Sequence, residues 1–475
     1  MTRQHSLPSP SPEPERTTVR EPAREIPVVR EADVLVVGGG PGGFASAISA
    51  ARSGAKTVLI ERYGHLGGMA SGGLVNIIPN LSDIAGTQHL FGLNQEIIDR
   101  MKAKNAAFCP AEDEFGTTDA KVLERYLDAN LGWFYVRKDP NLGGRQRLLY
   151  TAVVDPEMLK AELNDMVVEA GVDLLLHSWG TRPIMEGERA QGVFFESKSG
   201  RRAITAKVVI DSTGDGDIFV GAGAEFDEEL TSNFRTALAF SFWITNVDMA
   251  RFDDFRRSHP DDFVALMADL EEAGGHPFYF KGLLPNQEGV LWFHPMWVKD
   301  VASDAMDVEE LTCWDMLGRK KAMITYEFLR SNVPGCDKCF IMQAAPQLGI
   351  QGGRRVVGEY VLTDNDMVSD EVHDDTIAVL ANNDNGAISA EHPSICIPYR
   401  CLVPRKIDGL LVACRAFSSK ASVNQWFNII PHCVAYGQAA GTAAALAVRD
   451  GIEPRHVDYS ELQENLRGQG VKLPE

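Results

Sequence analysis

Apolar residues near the start of the chain form short uninterrupted runs, and glycine-rich turns separate these runs. A first run at 33–37 is followed at once by glycines, a helical pattern extends from 43 to 52, and a second run at 56–60 ends at Glu61. Uninterrupted runs of this length are typical of parallel strands that are buried on both faces. The pattern therefore predicts a strand, a helix and a second strand of an α/β fold.

Similar runs return later and alternate with helical and aromatic-rich segments. Strands are predicted at 172–177, 207–211 and 408–413, and helices at 92–104, 119–130, 155–169 and about 431–449. Between about 226 and 395, aromatic segments such as 278–280 and 291–298 favour an antiparallel sheet. The expected architecture is a parallel sheet assembled from separate segments, together with a mixed α+β region.

The glycines between the first strand and the first helix follow the pattern G-x-G-x-x-G, formed by Gly38, Gly40, Pro41, Gly42 and Gly43. In this context the first glycine permits a tight turn, and the second lets the backbone approach a diphosphate. The third lets the helix lie close to the sheet. The helix N-terminus offers N–H groups and a partial positive charge to the phosphates. The turn therefore predicts a dinucleotide-binding site of the Rossmann type.

The residues after the second strand favour FAD over NAD. Glu61 is placed to accept hydrogen bonds from the ribose of an adenosine. Arg62 and a glycine-rich stretch with Gly67, Gly68 and Met69 follow, and this stretch could pass beneath the rest of a long dinucleotide. A nicotinamide dehydrogenase has no need of such a stretch, so FAD is the predicted cofactor.

Four stretches make the chain resemble the FAD-dependent oxidoreductases of the glutathione reductase-like superfamily, especially a group of bacterial flavoproteins of mostly unassigned substrate. They are residues 38–68, 211–217, 354–363 and 397–441. The resemblance implies that Gly214 and Asp215 lie in a turn near the cofactor. It also implies that the final helix begins at Gly437, Gln438 and Ala439. The N-terminus of this helix would point at the pyrimidine edge of the flavin and stabilise the negative charge of the reduced flavin.

The chain departs from this family pattern in ways that limit its chemistry. Cys414 and Asn428 stand where a glycine and an arginine are expected, which leaves the cofactor contacts there open. Met69 stands where a disulfide reductase would carry its cysteine pair, so disulfide chemistry at that place is excluded. Cys336 and Cys339 have redox spacing, but a lone C-x-x-C in a loop far along the chain indicates an incidental pair.

These predictions divide the chain into a discontinuous Rossmann-type FAD-binding domain and a mixed α+β substrate or cap domain, with the flavin at their junction. The FAD-binding domain is expected at 31–76, 151–225 and 396–450, and the cap at 77–150 and 226–395. Residues 1–30 are expected to form a disordered leader and 451–475 a C-terminal tail. The leader is rich in proline, serine, glutamate and arginine and has no apolar core.

Charge and cysteine content restrict the partners. A net charge of −20 argues against nucleic acid or an anionic membrane surface as the main partner. No uninterrupted apolar stretch is long enough to span a membrane. Eight cysteines without a repeated spacing predict free thiols and a cytoplasmic location. We expect a small-molecule substrate and no metal, and a homo-oligomer is among the assemblies that the sequence allows.

The candidate catalytic residues are polar groups in the aromatic and late segments. His294 and His432 are candidates because removal of a hydride beside an O–H or N–H group requires a proton acceptor. Arg415 could bind a substrate carboxylate or the cofactor, and Tyr399 is a nearby polar candidate. The expected reaction is oxidation of a small organic substrate by hydride transfer to flavin N5, with oxygen or another acceptor taking the electrons. Reduction of an activated double bond and flavin binding without catalysis remain alternatives.

Overall fold

The structure is a computed structural model that describes residues 18–228, 238–294, 296–297, 306–383 and 387–474. Its strands are β1 (Val28–Val37), β2 (Thr57–Ile60), β3 (Ile77–Ile78), β4 (Ala107–Phe108), β5 (Val136–Asp139), β6 (Arg145–Leu148), β7 (Ala152–Val154), β8 (Asp173–Leu175), β9 (Trp179–Glu186), β10 (Arg189–Glu196), β11 (Arg202–Asp211), β12 (Phe226–Asp227), β13 (Leu238–Ala239), β14 (Phe242–Thr245), β15 (Tyr279–Lys281), β16 (Leu291–Phe293), β17 (Met296–Trp297), β18 (Phe340–Ala344), β19 (Gly349–Ile350), β20 (Arg355–Val356), β21 (Thr376–Ala381), β22 (Ser394–Pro398) and β23 (Leu410–Val412).

The α-helices match most of the helical patterns in the sequence. They are α1 (Pro41–Arg52), α2 (Leu93–Ala103), α3 (Ala120–Asp128), α4 (Gly132–Tyr135), α5 (Pro156–Glu169), α6 (Asp217–Gly221), α7 (Met249–Ser258), α8 (Pro260–Glu272), α9 (Val308–Asn332), α10 (Ala387–Glu391), α11 (Ala421–Phe427), α12 (Ile430–Asp450) and α13 (Tyr459–Gly468). Helix α5 begins as its sequence predicts, because the Asp155 carboxylate accepts hydrogen bonds from the N–H groups of Glu157 and Met158.

The main sheet has seven strands in the order β8-β2-β1-β11-β10-β9, and β23 pairs with the end of β11. Strands β8, β2, β1, β11 and β23 are mutually parallel, and β2 is buried at every residue. Val37 at the end of β1 lies beside Ile60 of β2 and Asp211 of β11, and Asp211 lies beside Val412 of β23. The carboxyl ends of four parallel strands therefore meet at one edge of the sheet, where α/β proteins bind their ligands. This confirms the predicted α/β class.

Helices α1 and α12 pack closely because glycines stand at their contact. A Cβ atom added at Gly437 would lie 2.1 Å from the carbonyl oxygen of Gly42, and one at Gly441 would lie 2.2 Å from that of Ser46. Most of α12 is buried along this contact. The small residues of the last long helix therefore hold it against the first helix of the sheet.

Several predicted domain boundaries fall inside regular elements. Strand β1 begins at Val28, within the predicted leader, because the N–H of Ala203 donates to Pro27 and Val28 pairs with Ala203. The predicted disorder of residues 1–17 lies outside the described residues. Strand β7 pairs with β3 and β4 instead of joining the main sheet. The predicted boundary at 396 divides β22, which forms a hairpin with β21.

The predicted C-terminal tail contains the ordered helix α13. The Asp458 carboxylate accepts a hydrogen bond from the N–H of Glu461 and so caps its first turn. Leu462 and Leu466 are four residues apart, lie on one face of the helix and are buried in the same core as α12. This spacing is the sequence signal for a helix in the predicted tail.

The mixed region contains an antiparallel sheet in the order β15-β16-β14-β18. Its core is aromatic, and the rings of Phe242 and Phe293 stack at 4.8 Å between centroids. The aromatic segment at 291–298 contains β16 in this sheet and β17, which pairs with β13 in another. Within the described ranges, no helix is both long and apolar enough to cross a membrane.

We predict that Gly441→Ala lowers the free energy of unfolding by about 1–3 kcal/mol, because the added methyl group collides with the α1 backbone. Chemical denaturation of the FAD-loaded protein, followed by circular dichroism, measures the effect. Gly468→Ala is the matched control, because nothing lies within 4 Å of a Cβ atom added at the end of α13. Equal stability of the two variants would contradict the close contact between α1 and α12.

Candidate flavin-binding site

A cavity of about 630 Å³ lies at the edge of the main sheet where the parallel strands end. This volume is within the range of small-molecule and cofactor sites. The cavity extends from the dinucleotide turn to the antiparallel sheet. Residues along its length include Gly38, Gly40, Glu61, Gly68, Met69, Gly214, Arg415, Asn428, His276, Phe278, His294 and Gln347. The nucleotide turn and the aromatic region therefore face one continuous space.

The dinucleotide turn exposes backbone to this cavity. Gly38 has a φ of +99°, and a Cβ atom added there would lie 2.4 Å from the carbonyl oxygen of Ser212. A Cβ atom at Gly43 would lie 1.7 Å from the carbonyl oxygen of Gly38, so the helix can approach the strand only without a side chain there. Gly40 lines the cavity and has nothing within 4 Å of an added Cβ. It therefore leaves room for a ligand against the backbone.

The N-terminus of α1 adds electrostatic attraction for phosphate. Gly40 is its N-cap residue, Pro41 stands in its first turn, and no side chain caps it. The first N–H groups of a helix lack partners within the helix, and they carry a partial positive charge. The glycine turn and this helix end together fit the diphosphate of a dinucleotide.

Glu61 lies at the end of β2 and lines the cavity. Its carboxylate accepts hydrogen bonds from the N–H groups of Gly39 at 2.5 Å and Tyr63 at 2.7 Å. Burial raises the pKa of this carboxyl group, and the two N–H donors oppose that change. These contacts fix a carboxylate beside the dinucleotide turn, where it fits the ribose hydroxyl groups of an adenosine.

Aromatic rings line the cavity beyond Glu61. The guanidinium group of Arg62 lies 4.9 Å from the ring centroid of Tyr63 and 6.0 Å from that of Trp179. Ser178 and Trp179 line the cavity at the start of β9. Sequence reasoning predicted Arg62 but missed Trp179, because only the tertiary fold brings β9 beside the end of β2.

The glycine-rich stretch after Glu61 is tied to the dinucleotide turn. The N–H of Gly67 donates to the carbonyl oxygen of Gly39 at 2.9 Å. Gly68 and Met69, the next residues, line the cavity. The stretch therefore passes along the cavity wall. Gly67 does not line the cavity, but its hydrogen bond to Gly39 holds the stretch in place.

The turn after β11 brings together the predicted residues Gly214, Asp215 and Arg415. Gly214 and Arg415 line the cavity, and Asp215 forms an ion pair with Arg415. The Nε atom of Arg415 is buried and has no hydrogen-bond partner among the described residues. Asp211 accepts hydrogen bonds from the N–H groups of Ile218 and Phe219 and so holds the turn. Asp215 therefore positions Arg415, which is the group exposed to a ligand.

The final helix begins at Ile430 and not at Gly437, so the start implied by the family resemblance is wrong. Pro431 favours the first turn of a helix because it lacks an N–H group. Gly437 packs against α1, Ala439 is buried in the core, and the Gln438 side chain accepts a hydrogen bond from the N–H of Leu93. None of these three residues lines the cavity.

The true N-terminus of α12 faces the cavity. Asn428, Ile429, Ile430 and Cys433 line it, and no side chain caps the helix. Asn428 donates a hydrogen bond to the carbonyl oxygen of Gln351 at 3.0 Å. A second helix end, with N–H groups that lack partners within the helix and a partial positive charge, therefore faces the cavity.

His294 directly follows β16 and lines the cavity. Its Nδ1 atom lies 2.6 Å from the hydroxyl oxygen of Ser241, and its ring stacks against Trp292 at 5.5 Å. Burial lowers the pKa of His294 to about 4. The structure therefore holds a neutral imidazole in a fixed orientation at the aromatic end of the cavity.

A second histidine, which sequence reasoning missed, lines the same end. Burial lowers the pKa of His276 to about 4, and the charge of His294 adds to this effect. The Nε2 atom of His276 is buried and has no hydrogen-bond partner among the described residues. His276 lies in an irregular segment before β15, so no periodic pattern distinguished it.

Two predicted catalytic residues lie away from the cavity. The hydroxyl of Tyr399 donates to the carbonyl oxygen of Pro454, and the whole side chain is buried in the core. His432 is fully buried, with its ring 5.7 Å from that of Phe427. Neither residue lines the cavity, so the structure does not bring them to the site, and their catalytic roles stay untested predictions. Both residues lie at the start of a helical turn, and their side chains are buried in the core.

The described residues contain one group of side chains with the spacing of metal ligands, namely Asp366, Glu371 and His373. The Asp366 carboxylate already accepts hydrogen bonds from the hydroxyl of Tyr360 and from the N–H and hydroxyl of Thr363. These contacts occupy both of its oxygens. The group is therefore explained by hydrogen bonding within this loop.

The family model for FAD dependent oxidoreductase matches residues 33–466. The chain therefore belongs to this family, FAD is its cofactor, and it is a flavin enzyme. This confirms the predicted cofactor and the family resemblance, and it argues against flavin binding without catalysis.

The chain is similar to curated proteins over short segments. A dihydrolipoyl dehydrogenase of Trypanosoma brucei brucei is 53% identical over 45 residues, which are 10% of this chain and 9% of the relative. A mitochondrial dihydrolipoyl dehydrogenase of Caenorhabditis elegans is 37% identical over 148 residues, 31% of this chain and 28% of the relative. A glutathione reductase of Schizosaccharomyces pombe is 32% identical over 146 residues, 29% of this chain and 28% of the relative. The similarity thus spans less than a third of these relatives.

The similarity to solved structures is weak. A geranylgeranyl bacteriochlorophyll reductase-like protein from Thermoplasma acidophilum has 15% identity and a TM-score of 0.42, over 92% of this chain and 83% of its own. The p-nitrophenol 4-monooxygenase PnpA from Pseudomonas putida DLL-E4 has 12% identity and a TM-score of 0.43, over 94% of this chain and 91% of its own.

We predict that Glu61→Gln weakens FAD binding by about 10- to 100-fold, because an amide offers one acceptor oxygen and no charge. Fluorescence titration of the apoprotein with FAD measures the change. Glu31→Gln is the matched control, because Glu31 is exposed on β1. Unchanged affinity in Glu61→Gln would contradict a role of this carboxylate in binding the nucleotide.

We also predict that His276 and His294 make the folded protein less stable in acid. Their pKa values are lowered from 6.5 to about 4, so the unfolded chain binds more protons between these values. The stability that they contribute is complete above about pH 6.5 and is lost as the pH falls towards 4. Denaturation at pH 7 and pH 5 should show a loss that His294→Gln or His276→Gln reduces by on the order of 1–2 kcal/mol.

Substitution of an exposed histidine is the control for this prediction. His259→Gln removes an imidazole from the surface and should leave the difference between pH 7 and pH 5 as it is in the wild-type protein. An equal pH dependence in all three variants and the wild-type protein would show that the two cavity histidines are not the cause.

Proposed function

We propose that the protein oxidises a small organic substrate at the aromatic end of the cavity by hydride transfer to FAD. The observation that supports this proposal is the continuity of the cavity, which joins the dinucleotide turn to His294. FAD, when bound, supplies the acceptor for a hydride, and oxygen or another acceptor then takes the electrons. The protein has to hold the cofactor, orient the substrate and accept a proton.

The residues that would hold FAD follow from the cavity lining. Glu61 would accept hydrogen bonds from the adenosine ribose, and Gly40 with the N-terminus of α1 would bind the diphosphate. The N-terminus of α12, beginning at Ile430, would stabilise negative charge on the flavin. Arg415, held by Asp215, offers a further guanidinium group to the cofactor or to an anionic part of the substrate.

We assign to His294 the role of proton acceptor. Ser241 holds the ring through Nδ1, which leaves Nε2 for the substrate. The lowered pKa of His294 keeps this imidazole unprotonated at neutral pH, so that it can take the proton of a substrate O–H or N–H group. The adjacent C–H bond then loses its hydride as a carbon–oxygen or carbon–nitrogen double bond forms. The substrate thereby loses two electrons and two hydrogen nuclei.

Thiol–disulfide chemistry is not proposed for this site. Cys414 and Cys433 line the cavity, and burial raises the pKa of both thiols, that of Cys433 to about 12. A thiol must be deprotonated to attack a disulfide, so both groups are inert near neutral pH.

We also propose where the enzyme is located and how it assembles. All eight cysteines are free, which supports a cytoplasmic location, and a homo-oligomer stays a prediction.

The test is anaerobic mixing of the FAD-loaded protein with alcohols, amines and ring compounds, followed through the oxidised flavin absorption band. We expect one substrate class to bleach the flavin without added reductant. In His294→Gln the rate of bleaching should fall by about 100-fold or more, because the proton acceptor is lost. His456→Gln, at an exposed histidine, is the matched control and should leave the rate unchanged.

Two outcomes would contradict this proposal. Equal bleaching rates in His294→Gln and the control would remove His294 from the reaction. If no substrate bleaches the flavin, while the photoreduced protein passes electrons to an activated double bond, the enzyme works in the direction of reduction.

A further inference from the structure

The end of the cavity beyond the flavin-binding turns has a wall of phenylalanine side chains. The rings of Phe278 and Phe280 are 5.1 Å apart in an edge-to-face arrangement, and Phe134 lies 5.5 Å from Phe280. All three line the cavity together with His276, His294 and Gln347, and we call these six residues the substrate compartment. Edge and face contacts of this kind favour the binding of another aromatic ring.

Gln347 supplies a neutral polar group to this compartment. It is 4% exposed, it lines the cavity, and its amide makes no hydrogen bond with any described residue. A Cβ atom added at Gly72 would lie 2.9 Å from Cδ of Gln347 and 2.3 Å from Cε1 of His65. The absence of a side chain at Gly72 therefore makes room for Gln347.

The amide of Gln347 can bind a ligand because the fold leaves it without a hydrogen-bond partner. A ligand that fills the cavity must pair with this amide or leave it unsatisfied, which is unfavourable. The amide offers one acceptor oxygen and two N–H donors, so it can pair with a hydroxyl or an N–H group of a ligand. Nε2 of His276 is also buried and unpaired among the described residues. Two neutral polar groups thus face the same aromatic wall.

The charges around the compartment argue against an ionised ligand. The carboxylates in the described lining are Glu61 and Asp217; Glu61 is bound by backbone N–H groups, and Asp217 pairs with Arg354. Arg137 lies three residues after Phe134 in the sequence and also lines the cavity. Its guanidinium group donates hydrogen bonds to the carbonyl oxygens of Trp133 and Val136.

Arg62 and Arg415 also line the cavity but do not belong to the compartment, since Arg62 lies against Tyr63 and Arg415 pairs with Asp215. The six residues of the compartment carry neither a carboxylate nor a guanidinium group. An ionised ligand would therefore lose its hydration there without gaining a charged partner, which is costly.

We infer that the substrate compartment binds an uncharged aromatic compound with a hydroxyl or N–H group on a carbon attached to the ring, where a C–H bond remains for hydride transfer, and that Gln347 recognises this group. The inference rests on the proposed function in one respect, since it takes the occupant of the compartment to be the substrate. The aromatic wall supplies the contact with the ring, and the amide of Gln347 sets its orientation. His294 then lies in the same space as the polar group of the ring compound.

The first test measures binding without turnover. FAD-loaded protein is titrated with phenol, benzoate or cyclohexanol, and the shift of the oxidised flavin absorption band reports occupancy. Phenol and cyclohexanol differ in aromaticity, whereas phenol and benzoate differ in charge. We expect phenol to bind at least about tenfold more tightly than either of the others.

The second test uses Gln347→Leu, which keeps the size of the side chain and removes the amide. We expect phenol to bind about 5- to 10-fold more weakly, because one hydrogen bond is lost. The thermal midpoint of the phenol-free protein should be unchanged or higher, because the amide removed had no partner in the fold. Gln343→Leu is the matched control, because the Gln343 amide donates to Glu157 outside the cavity, and phenol binding should not change.

Three results would overturn the inference. Phenol binding that is unchanged in Gln347→Leu would show that the amide does not recognise the ring. A lower thermal midpoint in that variant without ligand would assign the amide a structural role. Tighter binding of benzoate than of phenol, lost in Arg137→Gln, would show that the compartment recognises an anion.

The tests separate this inference from the proposed function. If phenol binds with the expected pattern and no compound bleaches the flavin, the inference stands and the proposed oxidation fails. If an aliphatic substrate bleaches the flavin and phenol does not bind, the oxidation stands and the inference is overturned.

Discussion

The fold depends on a close approach of three backbone segments at the dinucleotide turn, where no side chain fits. A Cβ atom at Gly42 would lie 1.7 Å from the carbonyl oxygen of Ala413, and one at Gly43 would lie equally close to that of Gly38. Strand β1, helix α1 and the segment after β23 therefore share one small volume. Because this contact excludes side chains, backbone N–H groups remain exposed at the helix end, and these groups can bind phosphate.

The parts of the fold that the sequence predicted are the parts encoded by neighbouring residues. The β1–α1–β2 unit combines buried apolar runs, a glycine turn and a terminal Glu61 within a short stretch, so each signal supports the others. The start of α5 is equally local, since Asp155 caps it directly. The helical pattern at about 431–449 matched α12, whereas the start at Gly437 that the family resemblance implied was wrong, because Gly437 and Gly441 pack against α1.

The site could be predicted only in part, because residues at both ends of the cavity come from segments far along the chain from the glycine turn. Trp179 reaches the end of the cavity beside Glu61 through the pairing of β9 with β10, and His276 reaches the aromatic end from an irregular segment. The sequence favoured His294 and His432 equally as proton acceptors. Burial separates them, since His294 faces the cavity with Ser241 as its partner, whereas His432 lies in the core.

The order of strands in the main sheet also determines when the protein can complete its nucleotide site during synthesis. Strand β23 and helix α12 come from residues 410–450, yet they pack against β11 and α1 from the first half of the chain. Contacts between such distant residues form late and slow the folding of a domain. On the ribosome helix α1 therefore stays uncovered on one side until residues 410–450 have emerged.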